Sequence, residues 1–247
     1  MKIVIFGGTT EGRELSATLA AMGNAVTVCV ATDYGREQQG EIPGVTVLAG
    51  RRSEAEKLAL LQGAALCVDA THPYATGVTR SVKAACAAAD IPYRRLLRAA
   101  GDTSDAVVTA DAAQAAEYLQ ATAGNILLTT GAKELPAFAA LPPERLYVRV
   151  LPSHEGLSAC EAAGVPHRNI LAMQGPFSEE LNAALLRQYE IRWLVTKDGG
   201  AAGGYPEKLR AARTCGVRVI VLRRPEETGE SMEEIVRSIK EMAKPCK

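Results

Sequence analysis

Asp69-Ala70-Thr71-His72-Pro73-Tyr74 is the densest run of polar function in the sequence. Histidine titrates nearest neutrality, so His72 is a candidate proton donor, and Tyr74 is a second. Pro73 biases His72 towards extended backbone, which holds its side chain out of any helix. A second run, Gly7-Gly8-Thr9-Thr10-Glu11-Gly12-Arg13, offers different chemistry. Its paired glycines allow a tight turn and close approach of a ligand to the backbone. The free N–H groups of a helix starting there suit a phosphate. The spacing departs from the dinucleotide fingerprint G-x-G-x-x-G. Single cations stand near strand ends at Lys133, Arg149, Lys197 and Lys208, and also at Arg80, Arg94 and Arg98. Together they suit an anionic ligand. His154 and His167 lie in loops, without the paired spacing of metal ligands, so no metal site is expected. There is no nucleophile elbow and no Walker lysine. Redox chemistry with a bound nicotinamide fits what remains, because the protein then has only to orient the carrier.

These residues need elements to position them. Ile3-Val4-Ile5-Phe6 is an unbroken run of apolar β-formers, as in a strand covered on both faces. Thr9 or Thr10 can cap the helix that follows, which carries Leu15, Leu19 and Met22 on one face. Ala25–Val30 reads as a second strand, ending in Ala31-Thr32-Asp33-Tyr34-Gly35-Arg36, where a dinucleotide fold meets the adenosine ribose. An acid there favours NAD, and a hydroxyl with a nearby Arg favours NADP; Thr32, Asp33 and Arg36 leave both open. Val45–Leu48, Leu66–Asp69 and Ile91–Arg98 complete a set of five strands, with Gly50-Arg51-Arg52 after the third. Helices are capped by Ser53 and Asp111. From Gly124-Asn125 the pattern restarts. Ile126–Leu128 runs into Thr129-Thr130-Gly131, and Trp193–Val195 runs into Thr196-Lys197-Asp198-Gly199-Gly200. Ser178 caps a helix Glu179–Gln188, and the helix Lys208–Cys215 and strand Val217–Leu222 echo those before Arg98. The offset stays near ~125 residues. The expected fold is α/β, with two Rossmann-like lobes, mainly parallel sheets and a cleft between them. The expected lobes are residues 1–123, binding the cofactor, and 124–247. A helix Ser231–Met242 closes the pattern.

Composition narrows the classes. Lys plus Arg and Asp plus Glu are 28 each in 247 residues, so no bulk attraction to nucleic acid or an acidic membrane is expected. Aromatics at 4% argue against stacking platforms for bases. No apolar run is long enough for a membrane span, and no leader pattern precedes the first strand. Cys29, Cys67, Cys86, Cys160, Cys215 and Cys246 are scattered, without a C-x-x-C pair. They read as reduced thiols of a cytoplasmic protein.

The combination resembles the precorrin-6A reductase family of cobalamin biosynthesis over nearly the whole chain. The resemblance rests on Gly7–Arg13, Ala31–Gly35, Asp69–Ala75, Leu128–Gly131, Arg149-Val150-Leu151-Pro152, Gly175-Pro176-Phe177-Ser178, Thr196–Gly200, Lys208-Leu209 and Arg223-Arg224-Pro225. It departs from the family at Lys197–Tyr205, where a Lys-Asn-Ser-Gly-Gly type loop is common, and at Arg98–Gly101, which lacks Arg-Pro-x-Trp. The resemblance implies hydride transfer from a reduced nicotinamide, NADPH or alternatively NADH. The acceptor is one double bond of precorrin-6A, or of its cobalt-bearing form, and any cobalt belongs to the substrate. The implied partner is an anionic corrin macrocycle, with neighbouring corrin-pathway enzymes around it. It also implies roles. Gly8, Thr9, Thr10, Glu11 and Arg13 hold the pyrophosphate and adjoining ribose, and Thr32, Arg36 and Arg51 face the adenosine ribose. Thr71, His72, Tyr74, Thr130 and Gly131 flank the nicotinamide and macrocycle, with His72, Tyr74 or solvent protonating the reduced ring. Lys133, Arg149, Lys197 and Lys208 pair with its carboxylates. The competing readings are another NAD(P)-dependent reductase or epimerase, whose usual Tyr-x-x-x-Lys is absent, and a non-catalytic dinucleotide-sensing module.

Overall fold

A computed structural model describes residues 1–242; Cys246 lies outside the described residues. The chain divides into two units. One comprises Met1–Arg98 with the segment from Pro225 onward, and the other is Ala99–Arg224.

In the first unit five strands alternate with helices: β1 (Lys2–Phe6), α1 (Thr10–Ala21), β2 (Ala25–Val30), α2 (Asp33–Gln39), β3 (Val45–Ala49), α3 (Glu54–Leu61), β4 (Leu66–Asp69), α4 (Thr76–Ala89) and β5 (Tyr93–Arg95). All pairings are parallel, in the order β3-β2-β1-β4-β5. The unbroken apolar run of β1 has a simple cause. Ile3 and Ile5 enter a core with Leu15 and Leu19 of α1, whereas Val4 and Phe6 enter another with Leu61 of α3 and Val82 of α4. Alternate side chains leave opposite faces of a strand, so a sheet covered on both sides needs no polar face.

The second unit contains β6 (Ala106–Thr109), α5 (Ala112–Gln120), β7 (Asn125–Leu128), β8 (Leu146–Val150), α6 (His154–Ala162), β9 (Ile170–Ala172), α7 (Glu179–Gln188), β10 (Ile191–Lys197), α8 (Tyr205–Cys215) and β11 (Arg218–Leu222). Its parallel sheet runs β6-β11-β10-β7-β8-β9. Read from β9 to β11, this repeats the first sheet's order, as the sequence repeat implied. Val148 and Val150 of β8 pack with α5 and α6. Arg149 between them points to the other face, where Asn182 of α7 meets it. A final helix, α9 (Met232–Met242), puts Ile235 and Ile239 into the core beside Leu15 and Leu19 of the first unit.

Three sequence expectations change. The division does not fall between Ala123 and Gly124, because β6, a strand the sequence did not reveal, pairs with β11 and takes α5 with it. α9 in turn belongs to the first unit. The Asp33–Arg36 stretch, expected as a ribose-facing loop, is the helix α2, capped by Thr32 and ended at Gly40 (φ 62°). The fifth strand shrinks from Ile91–Arg98 to Tyr93–Arg95, and Leu97 N–H instead donates to the Glu230 carbonyl at 2.8 Å. No helix among the described residues is long and apolar enough to cross a membrane.

Candidate active site

In the first unit the candidate residues collect at the carboxyl ends of β1, β2, β3 and β4, where ligands of open parallel sheets bind. Gly7 donates its N–H to Cys29 O at 2.9 Å, and a Cβ there would stand 3.1 Å from Val28 Cγ1. Gly8 has φ +112° with open space around it. Thr9 caps α1: its hydroxyl accepts from Gly12 N–H at 3.1 Å and donates to Ala70 O at 2.9 Å. That hydroxyl is therefore spent in joining the β1–α1 turn to the end of β4. The exposed Thr10 and the half-buried Glu11 open the helix, whose first N–H groups lack intrahelical acceptors. Glu11 is paired with Arg98. Arg13 Nε donates to the Gln39 carbonyl at 3.0 Å, fastening α1 to the end of α2.

Thr32 accepts from Gly35 N–H at 3.0 Å, as the cap of α2. Arg51 is exposed just beyond the end of β3, and Arg36 is exposed on α2, the helix that follows β2. Those strands pair Val30 with Ala49, so the two following loops are neighbours. In the β4–α4 loop His72 Nδ1 accepts from Tyr74 N–H at 3.3 Å, and the two rings lie 5.5 Å apart. A neutral His72 with Nδ1 as acceptor carries its proton on Nε2.

The strongest interactions under this loop involve residues the sequence did not nominate. The Asp69 carboxylate is fully buried. Its Oδ1 accepts from Thr71 N–H (3.0 Å), Thr71 Oγ1 (2.7 Å) and Arg95 Nη1 (2.8 Å), and its Oδ2 accepts from Tyr93 OH (3.0 Å). Arg95 also gives Nε and Nη2 to Glu227 Oε1, at 3.2 and 2.8 Å. Burial, then the adjacent Asp69 charge, pushes the Tyr93 phenol up, so it stays a donor. Asp69 sat inside a quoted motif. Arg95 lay inside the expected strand Ile91–Arg98 and was not among the cations singled out there. Glu227, 132 residues away from Arg95, left no signal.

In the second unit the candidates again lie at carboxyl ends. Thr129 donates its hydroxyl to Val195 O at 3.0 Å, while the buried Thr130 hydroxyl has no hydrogen-bond partner among the described residues. Gly131 follows with φ +89°, and Lys133 is exposed on the short helical turn Ala132–Phe138. Lys197 is paired with Glu134 at 2.6 Å. Arg149 is only 7% exposed. It stacks on the Phe177 ring at 4.4 Å and donates Nη1 to Asn182 Oδ1 at 2.9 Å, with no carboxylate paired to it among the described residues. Burial lowers it to about 10, still a cation at neutral pH. Lys208 Nζ reaches Thr196 Oγ1 at 3.4 Å. Burial, and then the charge of Arg149, lowers it to about 8. Arg149 and Lys208 thus bring two positive charges close together, with Glu207 and Asp198 partly offsetting the charge repulsion at Lys208.

An open glycine at positive φ, a neighbour where a Cβ would press on Val28, and a capped helix start are features compatible with a phosphate group.

Comparisons with known proteins agree. The model of the family described as precorrin-6x reductase CbiJ/CobK matches residues 2–244. The chain is 34% identical over 253 residues to the cobalt-precorrin-6A reductase of Priestia megaterium, covering 96% of this chain and 97% of that one. It is 34% identical over 230 residues to the precorrin-6A reductase of Rhodococcus erythropolis, covering 91% and 89%. The solved structure of CobK precorrin-6A reductase superposes with a TM-score of 0.77 at 25% identity, covering 98% of each chain. A family match running through both units, with close relatives and a solved structure covering nearly the whole chain, leads to one conclusion: the chain belongs to the precorrin-6x reductase CbiJ/CobK family.

Proposed function

We propose that this protein reduces one double bond of precorrin-6A or cobalt-precorrin-6A, with NADPH as the hydride source, in corrin ring biosynthesis. The observation that carries the reading is a family match running through both units, from the glycine turn to the cations of the second sheet. A bound reduced nicotinamide supplies a hydride, and a proton completes the addition across the double bond. Gly8 and the amides of Thr10 and Glu11 hold the pyrophosphate, with Thr9 fixing the turn through Ala70 and Arg13 bracing α1. Thr32 meets the adenosine ribose. Arg36 and Arg51 make a basic rim that suits a 2′-phosphate and favours NADPH over NADH.

Thr71, His72 and Tyr74 line the nicotinamide side in the first unit, and Thr130 and Gly131 serve the second. His72 serves as the proton donor to the macrocycle, and the Tyr74 N–H orients its ring through Nδ1. Arg149 and Lys208 take one carboxylate of the substrate. Lys197, steadied by Glu134, and the exposed Lys133 meet others. Multiple charge-assisted contacts orient the macrocycle, and orientation supplies several kcal/mol of barrier reduction. The reading places the protein in the cytoplasm, beside other corrin-pathway enzymes.

The test is NADPH oxidation by the purified protein with each macrocycle present and absent, followed by the macrocycle spectrum. Oxidation that depends on the macrocycle is expected, slower with NADH. An unchanged spectrum with both macrocycles sinks the assignment. His72→Ala is expected to lower turnover about a hundredfold; full turnover in that variant removes the proton-donor role and leaves the reduction intact.

A further inference from the structure

The segment from Pro225 to Ser231 reaches the candidate site through charge. Glu230 N–H donates to Arg95 O at 2.8 Å, and its carbonyl accepts from Leu97 N–H at 2.8 Å, so the segment lies as a parallel strap beside β5. Glu230 also pairs with Arg94 at 2.5 Å. Glu227 grips the far side of the Arg95 guanidinium, whose near side holds Asp69. A planar guanidinium with both ends engaged has its rotation fixed. Arg95 is 4% exposed and Asp69 wholly buried, so neither is free to move away into water.

What Arg95 fixes is specific. Its Nη1 donates to the Asp69 side chain, to the Asp69 carbonyl at 3.2 Å and to Thr71 Oγ1 at 3.2 Å. Asp69 in turn binds both the N–H and the hydroxyl of Thr71. Between them, Ala70 O receives the Thr9 hydroxyl that caps α1. The start of the β4–α4 loop and the glycine turn therefore share one anchor.

We propose that Arg95, clamped between Asp69 and Glu227, is a positioning residue that sets the Thr71–Tyr74 loop for reaction, and that the Pro225–Ser231 strap thereby controls the active site of the first unit. The proposal rests on the reading that this loop faces the nicotinamide and macrocycle. Glu227 never touches substrate; it acts by holding Arg95 against the loop. Glutamine at 227 keeps an acceptor for Arg95, whereas alanine releases one end of the guanidinium.

The experiment is a double-mutant cycle on turnover and on NADPH affinity, with thermal melts to show that each variant is folded. Thr71→Val and Glu227→Ala are each expected to lower kcat about tenfold. The pair together should lose little more than either alone, because both act through the same loop. Glu227→Gln should recover most of the lost turnover, and Glu227→Met, which fills the space without an acceptor for Arg95, takes the place of Glu227→Ala if that variant does not fold. Independent losses that multiply, or Glu227→Ala turning over at the full rate while Thr71→Val is impaired, overturn the positioning role and leave the site reading standing. A silent Thr71→Val overturns the site reading itself, and the positioning role with it.

Discussion

At the scale of residues, the four nominated cations turn out to be different things. Lys133, Arg149, Lys197 and Lys208 share one sequence signature, a positive charge near the end of an apolar run. That signature cannot tell that Lys197 is already paired with Glu134, 63 positions earlier. Nor can it tell that Arg149 lies against Phe177, because burial is set by which helix covers the strand. Lys208 carries the sharpest consequence. Lowered to about 8 by burial and by Arg149, with Glu207 and Asp198 pulling the other way, it is an ammonium below that pH and loses its charge above it. A substrate carboxylate bound at Lys208, as proposed, would favour the ammonium, so binding would draw in a proton in that range. KM for the macrocycle should be flat up to about pH 7 and rise above pH 8, by up to about tenfold per pH unit. Lys208→Met should raise KM at neutral pH and flatten the profile. Steady-state kinetics across pH 6–10 reads both; a flat profile in the unaltered protein rules out Lys208 as the anion partner.

Among elements, what could be read from sequence was whatever is decided locally. Thr9, Ser53, Asp111 and Ser178 each cap the helix expected of them. Ser231 and Glu234 likewise bond reciprocally, at 2.7 and 3.2 Å, in front of α9. Such caps need only residues three apart. β6 escaped notice because Ala106–Thr109 is short and half-exposed, and it is a strand only by virtue of β11, more than 100 positions later. The strap beside β5 is harder still, since its fit depends on Gly229. A Cβ there would fall 2.4 Å from Arg95 O and 2.9 Å from Arg95 Cβ. Gly229→Ala should therefore lift the strap and destabilise the fold by about 1–3 kcal/mol. Gly77→Ala, in open space on α4, should be neutral or slightly stabilising. Urea midpoints of the two variants make the comparison; equal midpoints dismiss the tight strap.

For the whole molecule, the repeat was legible and its partition was not. The strand orders of the two sheets match once β6 is set aside, which is the ~125-residue echo seen in the sequence. The echo runs along the chain, however, while the units are defined by contacts. The polypeptide passes between them twice, at Arg98–Ala99 and again at Arg224–Pro225. A chain stopped after Arg224 lacks Ile235 and Ile239, each worth about 1.5–3 kcal/mol of apolar burial, and the Glu227 grip on Arg95. Limited proteolysis of that shortened chain should cut within residues 1–98 and spare 99–224, and NADPH binding should be lost. Uniform resistance would show that the first unit stands without its returning segment.

The double passage also fixes an order of events on the ribosome. Domains commonly mature as they emerge, beginning with the earliest-made. Here the earliest-made stretch must wait: residues 1–98 leave the exit tunnel with a gap where α9 belongs, while 99–224 contains every strand of its own sheet. The half synthesised second is therefore the half able to finish first. The unit proposed to bind the nucleotide can close its core only after α9 has emerged.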